Sequence, residues 1–411
     1  MTTTVNNEHK NIKVPNSTDK GNVIRNVPHL RFHEFQGEWE MCKVSDLLDF
    51  YSTNSLSWDK LEYGTTNIQN LHYGLIHVGL PTMVDIDKDN LPNIIDGNVP
   101  KNYELCKEGD IVFADASEDT NEVAKAVEYY NLNGKKVVCG LHTIHGRDNK
   151  NKTVVGYKGY AFSSMSFHHQ IRRIAQGTKI YSINSKNFSE CYVGIPSKDE
   201  QQKIADLFRL IDERIATQSK IIEDLKKLKS AISENLFKDV KGNIVMLSEI
   251  CEIIKGKQIN GEFLSESGKY YVMNGGTEPS GYYNDYNVEA NTISISEGGN
   301  SCGYIQFNPS PFWSGGHCYT IQKIADNVDN LYLYHYLKSQ EDAIMKLRIG
   351  SGLPNIQKKD LAMFKIKIPA VEQQRTISTF LSSLERKAET EEMLLNAMKK
   401  EKQYLLRQMF I

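Results

Sequence analysis

The chain is written twice, and no other feature limits its possible folds as much. Ile195-Pro196 followed by Glu200-Gln201-Gln202-Lys203 is answered by Ile368-Pro369 followed by Glu372-Gln373-Gln374-Arg375. The Glu-Gln-Gln pair is spaced by 172, and the same spacing places Phe208 against Phe380 and Glu213-Arg214 against Glu385-Arg386. Upstream, Gly177 to Ile183 matches Gly350 to Ile356, and Val44-Ser45-Asp46-Leu47 matches Leu247-Ser248-Glu249-Ile250. A long-period repeat of this kind means one structural unit used twice. The order is globular segment, helix, globular segment, helix, and the first globular segment is about 30 residues longer than the second.

Each repeat ends in a heptad pattern. Positions 204, 208, 211, 215, 218, 222, 225, 229, 232 and 236 step alternately by four and three and are apolar except at Gln218 and Lys229. Positions 377, 381, 384, 388, 391, 395, 398, 402, 405 and 409 do the same, interrupted at the same two ranks by Glu391 and Lys402. This register is offset by 173, one more than the Glu-Gln-Gln alignment. A stripe of period 3.5 must be buried against another helix, and two stripes in one chain most simply bury each other. About 38 residues at 1.5 Å each give a rod of roughly 57 Å. Ser197 with Glu200 fits a capping box at the first helix start, whereas Ala370-Val371 at the second does not.

The globular segments are rich in Gly, Tyr, Asn and β-branched residues. Asp110–Ala114, Lys136–Ile144, Thr292–Ser296 and Tyr319–Lys323 read as short strands. The expected fold is therefore α+β: two mixed α/β domains joined by two long antiparallel coiled-coil helices with a pseudo-two-fold repeat. The expected boundaries are a disordered lead-in over 1–25, a first domain over 26–195, a helix over 196–240, a second domain over 241–368 and a helix over 369–411.

Charge, cysteine usage and hydropathy narrow the function. The net charge of −2 does not announce a nucleic-acid binder, but its distribution is uneven. Residues 37–134 hold 6 Lys+Arg against 18 Asp+Glu, and residues 135–190 hold 10 against 2. A basic block interleaved with aromatics suits a phosphate-contacting surface or, equally, a solvated face offset by the acidic half. The seven scattered cysteines form no Cys-x-x-Cys pair, which argues against a zinc site and a disulfide framework. No apolar run is long enough for a membrane helix and Met1 to Lys20 is no secretory signal, so the cytoplasm is the expected location.

No motif marks a cofactor site. Neither a Gly-x-Gly-x-x-Gly unit nor a phosphate loop occurs, so no catalytic centre and no cofactor or metal are expected in this chain. Asn308-Pro309-Ser310-Pro311-Phe312 is a poor match to an adenine methyltransferase motif, because its prolines are not adjacent. Asp199-Glu200 with Lys203 suits helix capping better than a nuclease site. His168-His169 and His142/His145 lack partner ligands at metal-site spacing.

Two unlike domains on an antiparallel helix pair would read two unlike half-sites, since B-DNA repeats its groove about every 34–36 Å. The duplicated pattern resembles the specificity subunit of Type I restriction-modification systems. The resemblance runs from Asn26 to Ile411 and rests on Asn26-Val27-Pro28, Leu30-Arg31-Phe32 and Gly37-Glu38-Trp39 at the start, and on the doubled Ile-Pro/Glu-Gln-Gln/helix order. It also rests on Gly140 to Ile144, Gly298 to Ser301 through Trp313, and Gly350-Ser351-Gly352 with Pro354-Asn355-Ile356 and Lys358 to Leu361. The resemblance implies a non-catalytic reader of double-stranded DNA in a bacterial cytoplasm. Its implied partners are two methyltransferase subunits that modify adenine at N6 and two translocating nuclease subunits. S-adenosylmethionine, ATP and Mg²⁺ would belong to those partners. The rival readings are a free-standing DNA-binding regulator, a coiled-coil scaffold and a stand-alone methyltransferase, the last disfavoured by the missing cofactor motif.

Side-chain chemistry selects the candidate contacts, since Arg suits guanine, Asn or Gln suits adenine, and Lys or Ser meets phosphate. In the first domain these are His142, Thr143, His145, Arg147, Lys150 and Lys152, with Arg172, Arg173 and Lys179 as phosphate contacts. In the second they are Lys257, Asn274, Asn300, Ser301, Trp313 and His317, with Arg348 and Ser351 as phosphate contacts. His142 also reads as a core histidine and Trp313 as a packing aromatic.

Overall fold

A computed structural model describes residues 26–350, 352 and 354–411. The expected lead-in over 1–25 and the candidate Ser351 lie outside the described residues. Two compact units emerge: residues up to 217 with 395–411, and residues 218–394. Each contains part of both long helices, Lys198–Asp239 and Val371–Gln408.

Both units use one frame. In the first, strand Glu40–Lys43 pairs antiparallel with Tyr192–Ile195, and in the second Asn243–Met246 pairs with Lys365–Ile368. A one-turn helix follows the opening strand in each, at Val44–Leu47 and Leu247–Ile250. Its first N–H reaches the residue just before the return strand in both, Val44 N donating to Cys191 O at 2.8 Å and Leu247 N to Phe364 O at 2.9 Å. A larger sheet lies beyond. In the first unit its order is Asp49–Tyr51, Thr143–Arg147, Ile111–Ala114, Ala126–Asn131, Met83–Asp85; in the second it is Glu252–Lys255, Cys318–Gln322, Thr292–Ser296, Ile305–Asn308. The expected strand at 136–144 is two strands in different sheets, Val137–Cys139 and Thr143–Arg147, because the chain turns at Gly140 with its amide on Leu71 O.

The Glu-Gln-Gln motif explains how each long helix is seated. Gln201 and Gln374 are fully buried. Gln201 donates to Pro196 O at 2.9 Å and Lys152 O at 3.1 Å and accepts from Val154 N at 2.9 Å. Gln374 donates to Pro369 O at 2.8 Å and Asn327 O at 3.0 Å and accepts from Asp329 N at 2.8 Å. The structural spacing is thus 173, the heptad register, and the alignment by 172 is corrected. Buried Phe208 corresponds to buried Leu381, while Phe380 faces solvent. The capping box forms only by half: Ser197 Oγ accepts from Glu200 N, but the Glu200 carboxylate takes two hydrogen bonds from Arg31, each 2.7 Å.

All twenty heptad positions are buried or half-buried. The polar interruptions find partners on the opposite helix. In the second unit Gln218 meets Glu391 and Lys229 meets Glu385 at 2.6 Å; in the first, Lys402 meets Asp212 at 2.5 Å. These pairings run antiparallel, and polar groups in such a seam fix its register. Among the described residues no helix is long and apolar enough to cross a membrane.

Candidate nucleic-acid interface

In the second unit the sequence candidates converge. Cys318–Gln322 is entered through the turn Gly315-Gly316, which Asn274 braces: Asn274 Oδ1 accepts from His317 N at 3.1 Å. A Cβ on Gly315 would lie 2.4 Å from that oxygen, and one on Gly256 2.1 Å from Gly315 O, so the close approach requires both glycines. Trp313 pairs beside Val272, and its indole N–H donates to Lys257 O at 3.0 Å. Lys257 N donates in turn to Ser314 O at 2.8 Å. Lys257, Asn274, Trp313 and His317 therefore share one patch, with Tyr283 edge-on to Trp313 at 5.2 Å. Glu297 joins this patch to the next: its N–H donates to His317 O, and its backbone O accepts from Ile356 N. Asn300 and Ser301 lie on the adjoining turn, where Gly298 bridges to Asn355, and Arg348 stands exposed beside that bridge.

In the first unit the candidates divide. Thr143, His145 and Arg147 are buried and are corrected to core residues. Thr143 Oγ1 donates to Gly140 O at 2.6 Å. Arg147 donates to both oxygens of Asp110, to Glu104 at 2.7 Å and to Leu105 O at 2.8 Å, which commits four of its five N–H donors inside the domain. His145 Nε2 donates to Asp110 at 2.7 Å. Burial alone would raise the Asp110 carboxyl, but the hydrogen bonds from Arg147 and His145 hold it below the usual carboxylate range.

His142 and Lys150 lie beyond opposite ends of this buried strand, whose five residues span roughly 17 Å. Lys150 and Lys152 are tied down at the far end, Lys150 to Asp46 O and Lys152 to Glu40, both at 2.8 Å. His142 is half-exposed at φ +54°, a left-handed conformation uncommon outside glycine, though histidine adopts it more readily than most residues. It contacts Asp115 at 3.1 Å and the edge of Tyr73 at 5.2 Å. Ala116–Ser117, next to it, pairs with Tyr181–Ser182, so the 176–182 loop brings Lys179 to this face. Arg172 reaches Asn121 at 3.0 Å in the last turn of the helix that also carries exposed Arg173.

Sequence reasoning missed the aromatic part of this face. Trp58, His72 and Tyr73 pack in series with tilted rings, their centroids 4.6 and 4.7 Å apart, and Trp58 is 45% exposed. Burial, then the nearby His142, lowers the His72 imidazole. The available signal was Leu71-His72-Tyr73-Gly74, where the imidazole caps a helix by accepting from Gly74 N. Aromatic faces and edges with neighbouring cations are what base and phosphate contacts require.

The family model for the Type I restriction modification DNA specificity domain matches residues 37–227 and again 240–400. The chain belongs to this family. The specificity domain is non-catalytic, and here it occurs twice. An inferred type I specificity subunit of Mycoplasma pneumoniae is 35% identical over 145 residues, covering 35% of this chain and 38% of that protein. The inferred MjaX specificity subunit of Methanocaldococcus jannaschii is 25% identical over 392 residues, covering 86% of this chain and 88% of that protein. In fold, the chain is similar to the crystal structure of the S subunit of a Type I system from M. genitalium. The TM-score is 0.60 at 19% identity, covering 94% of this chain and 99% of that one.

Proposed function

We propose that this specificity subunit directs an adenine-N6 DNA methyltransferase to a bipartite, asymmetric site. The first domain would read one half and the second the other, while the long helices set the spacing and dock two methyltransferase subunits. Two nuclease-translocase subunits would complete a restriction enzyme. S-adenosylmethionine, ATP and Mg²⁺ would be held by those partners. The observation that carries this reading is one frame used twice under two different surfaces. The buried Gln201 and Gln374 seat equivalent helices, yet the surface groups differ: exposed Trp58, His142 and Arg172 with half-buried Tyr73 on one domain, and exposed Lys257 and His317 with half-buried Asn274 and Trp313 on the other.

The test is co-expression with a partner methyltransferase followed by methylome sequencing. Methylated adenines in a two-part motif with an unread spacer are expected. Exchanging residues 37–195 for the matching domain of another family member should change one half of the motif only. A change in both halves would defeat modular reading. Tight site-specific binding by the chain alone, with no methylation in the mixture, would favour a free-standing regulator.

A further inference from the structure

The geometry points to a buried binding site for a divalent transition metal, zinc first among them, formed by Cys106, Cys139 and His145 in the first domain. The two Sγ atoms are 3.4 Å apart, and these atoms and a ring nitrogen of His145 all lie within 4.8 Å of one another. All three residues are buried. Tetrahedral zinc, with bonds of about 2.3 Å to sulfur and about 2.0 Å to nitrogen, places its ligands roughly 3.5–3.8 Å apart. The cluster is near that size already.

Three further observations separate this cluster from ordinary core thiols. His145 Nε2 is held at 2.7 Å by Asp110, which Arg147 and Lys107 N fix in turn. A carboxylate on one imidazole nitrogen is the arrangement that orients the other toward a metal. That other nitrogen, Nδ1, is buried with no hydrogen-bond partner. The Tyr129 hydroxyl is likewise buried and unpartnered. This hydroxyl is the group at hand for a fourth ligand. Unpartnered buried polar atoms are rare enough that each asks for a cause.

The donor set selects the ion. Two sulfurs and an imidazole suit zinc and its neighbours, whereas magnesium and calcium take oxygen. Two thiolates balance a divalent charge, so loading adds no net charge to the interior and releases two protons, one from each thiol. Cys139 and His145 come from separate strands and Cys106 from the loop beside the Leu105–Val138 bridge, so the Cys-x-x-Cys rule that argued against zinc does not reach them. In the second domain the strand position of His145 is occupied by Thr320. The site would pin Thr143–Arg147 directly beneath the exposed turn at His142.

The test uses the full chain, purified without chelator or polyhistidine tag and analysed for metals. One equivalent of zinc is expected, retained on native dialysis against EDTA and lost on unfolding in EDTA. Chain from cobalt-supplemented cells should show sulfur-to-cobalt charge transfer and the visible bands of a tetrahedral site. Cys106→Ser and Cys139→Ser should each remove this charge transfer, and Cys251→Ser should not. The unmodified chain decides the matter even if the serine variants fail to fold. Absence of both metal and thiolate-cobalt bands would overturn the proposal, as would a Cys106–Cys139 disulfide in chain isolated without oxygen.

Discussion

The two domains share a frame and differ in what they bury within it. Register pairs Asp110, His145 and Arg147 of the first sheet with Thr292, Thr320 and Gln322 of the second. It also pairs Glu128 with Phe307. Tyr157 and Tyr332 each donate to the return strand, Tyr157 to Gly194 O at 2.6 Å and Tyr332 to Lys367 O at 2.7 Å. Counting from that pair sets Lys158 against Leu333. Where the first domain buries the ion pair Lys158–Glu128 at 2.9 Å, the second buries hydrocarbon. Part of the basic block is therefore spent within the domain, with Arg147, Lys152 and Lys158 all paired to acidic residues from 37–134. The lesson is that a basic stretch in sequence is not yet a basic surface.

The largest test of this contrast removes one charge. Breaking a buried pair from one side typically costs about 3–5 kcal/mol, because the partner stays buried and unpaired. Arg147→Ala should lower stability by about that much, whereas Gln322→Ala at the matching position should cost about 1 kcal/mol, the worth of an ordinary hydrogen bond. Urea unfolding of the full chain measures both. Similar costs would erase the distinction between the interiors. An Arg147→Ala chain of parental stability that had lost one half-site would return this residue to the DNA surface.

Sequence made the frame legible and the interiors only in part. The doubled Ile-Pro and the heptads are local, periodic signals, whereas the partners of the polar interruptions, Glu385 for Lys229 and Asp212 for Lys402, lie off the heptad positions. The choice between 172 and 173 was settled by burial, since only one of the adjacent Phe380 and Leu381 points inward. Thr-Ile-His-Gly-Arg over 143–147 carries the polar groups expected of a contact loop, yet every residue of the strand is buried. Nothing local reveals that Asp110 waits across the sheet. In the second domain the candidates converged because the glycines around Trp313 and His317 mark a tight turn in the sequence itself.

A smaller effect should appear with pH. Tyr160 of the first domain corresponds to His335 of the second, and both face a long helix: Tyr160 donates to Asp212 at 3.0 Å and His335 contacts Ser382 at 2.9 Å. Burial lowers the His335 imidazole to about 4, with Lys229 acting in the same direction and Glu385 and Asp329 opposing. The charged form is thus disfavoured in the folded chain. Stability is intact above the unfolded value near 6.5 and declines as pH falls toward 4, by about 3 kcal/mol if the shift is fully expressed. Burial, followed by Asp212, moves the Tyr160 hydroxyl upward, so this position is silent in that range. Unfolding measured from pH 7 to 4 should show the decline, and His335→Gln should flatten it. An unchanged slope in the variant would assign the acid sensitivity elsewhere.

The smallest effect separates the two ends of the buried strand in the first domain. Arg172 reaches Asn121, a few residues along the chain from the Ala116–Ser117 strand beside His142, and exposed Arg173 follows it, whereas Lys150 and Lys152 are bound to Asp46 O and Glu40 beyond the far end of the strand. Each phosphate contact contributes about 0.9 to the slope of log affinity against log salt. In complex with the methyltransferase, the Arg172→Ala/Arg173→Ala pair should flatten that slope by about 2 on a cognate duplex. The Lys150→Ala/Lys152→Ala pair should leave it where it was, since those ammonium groups already have partners within the domain. If the lysine pair flattened the slope and the arginine pair did not, the DNA would pass the other end of the strand. His142, Tyr73 and Trp58 would then lose their claim to the bases.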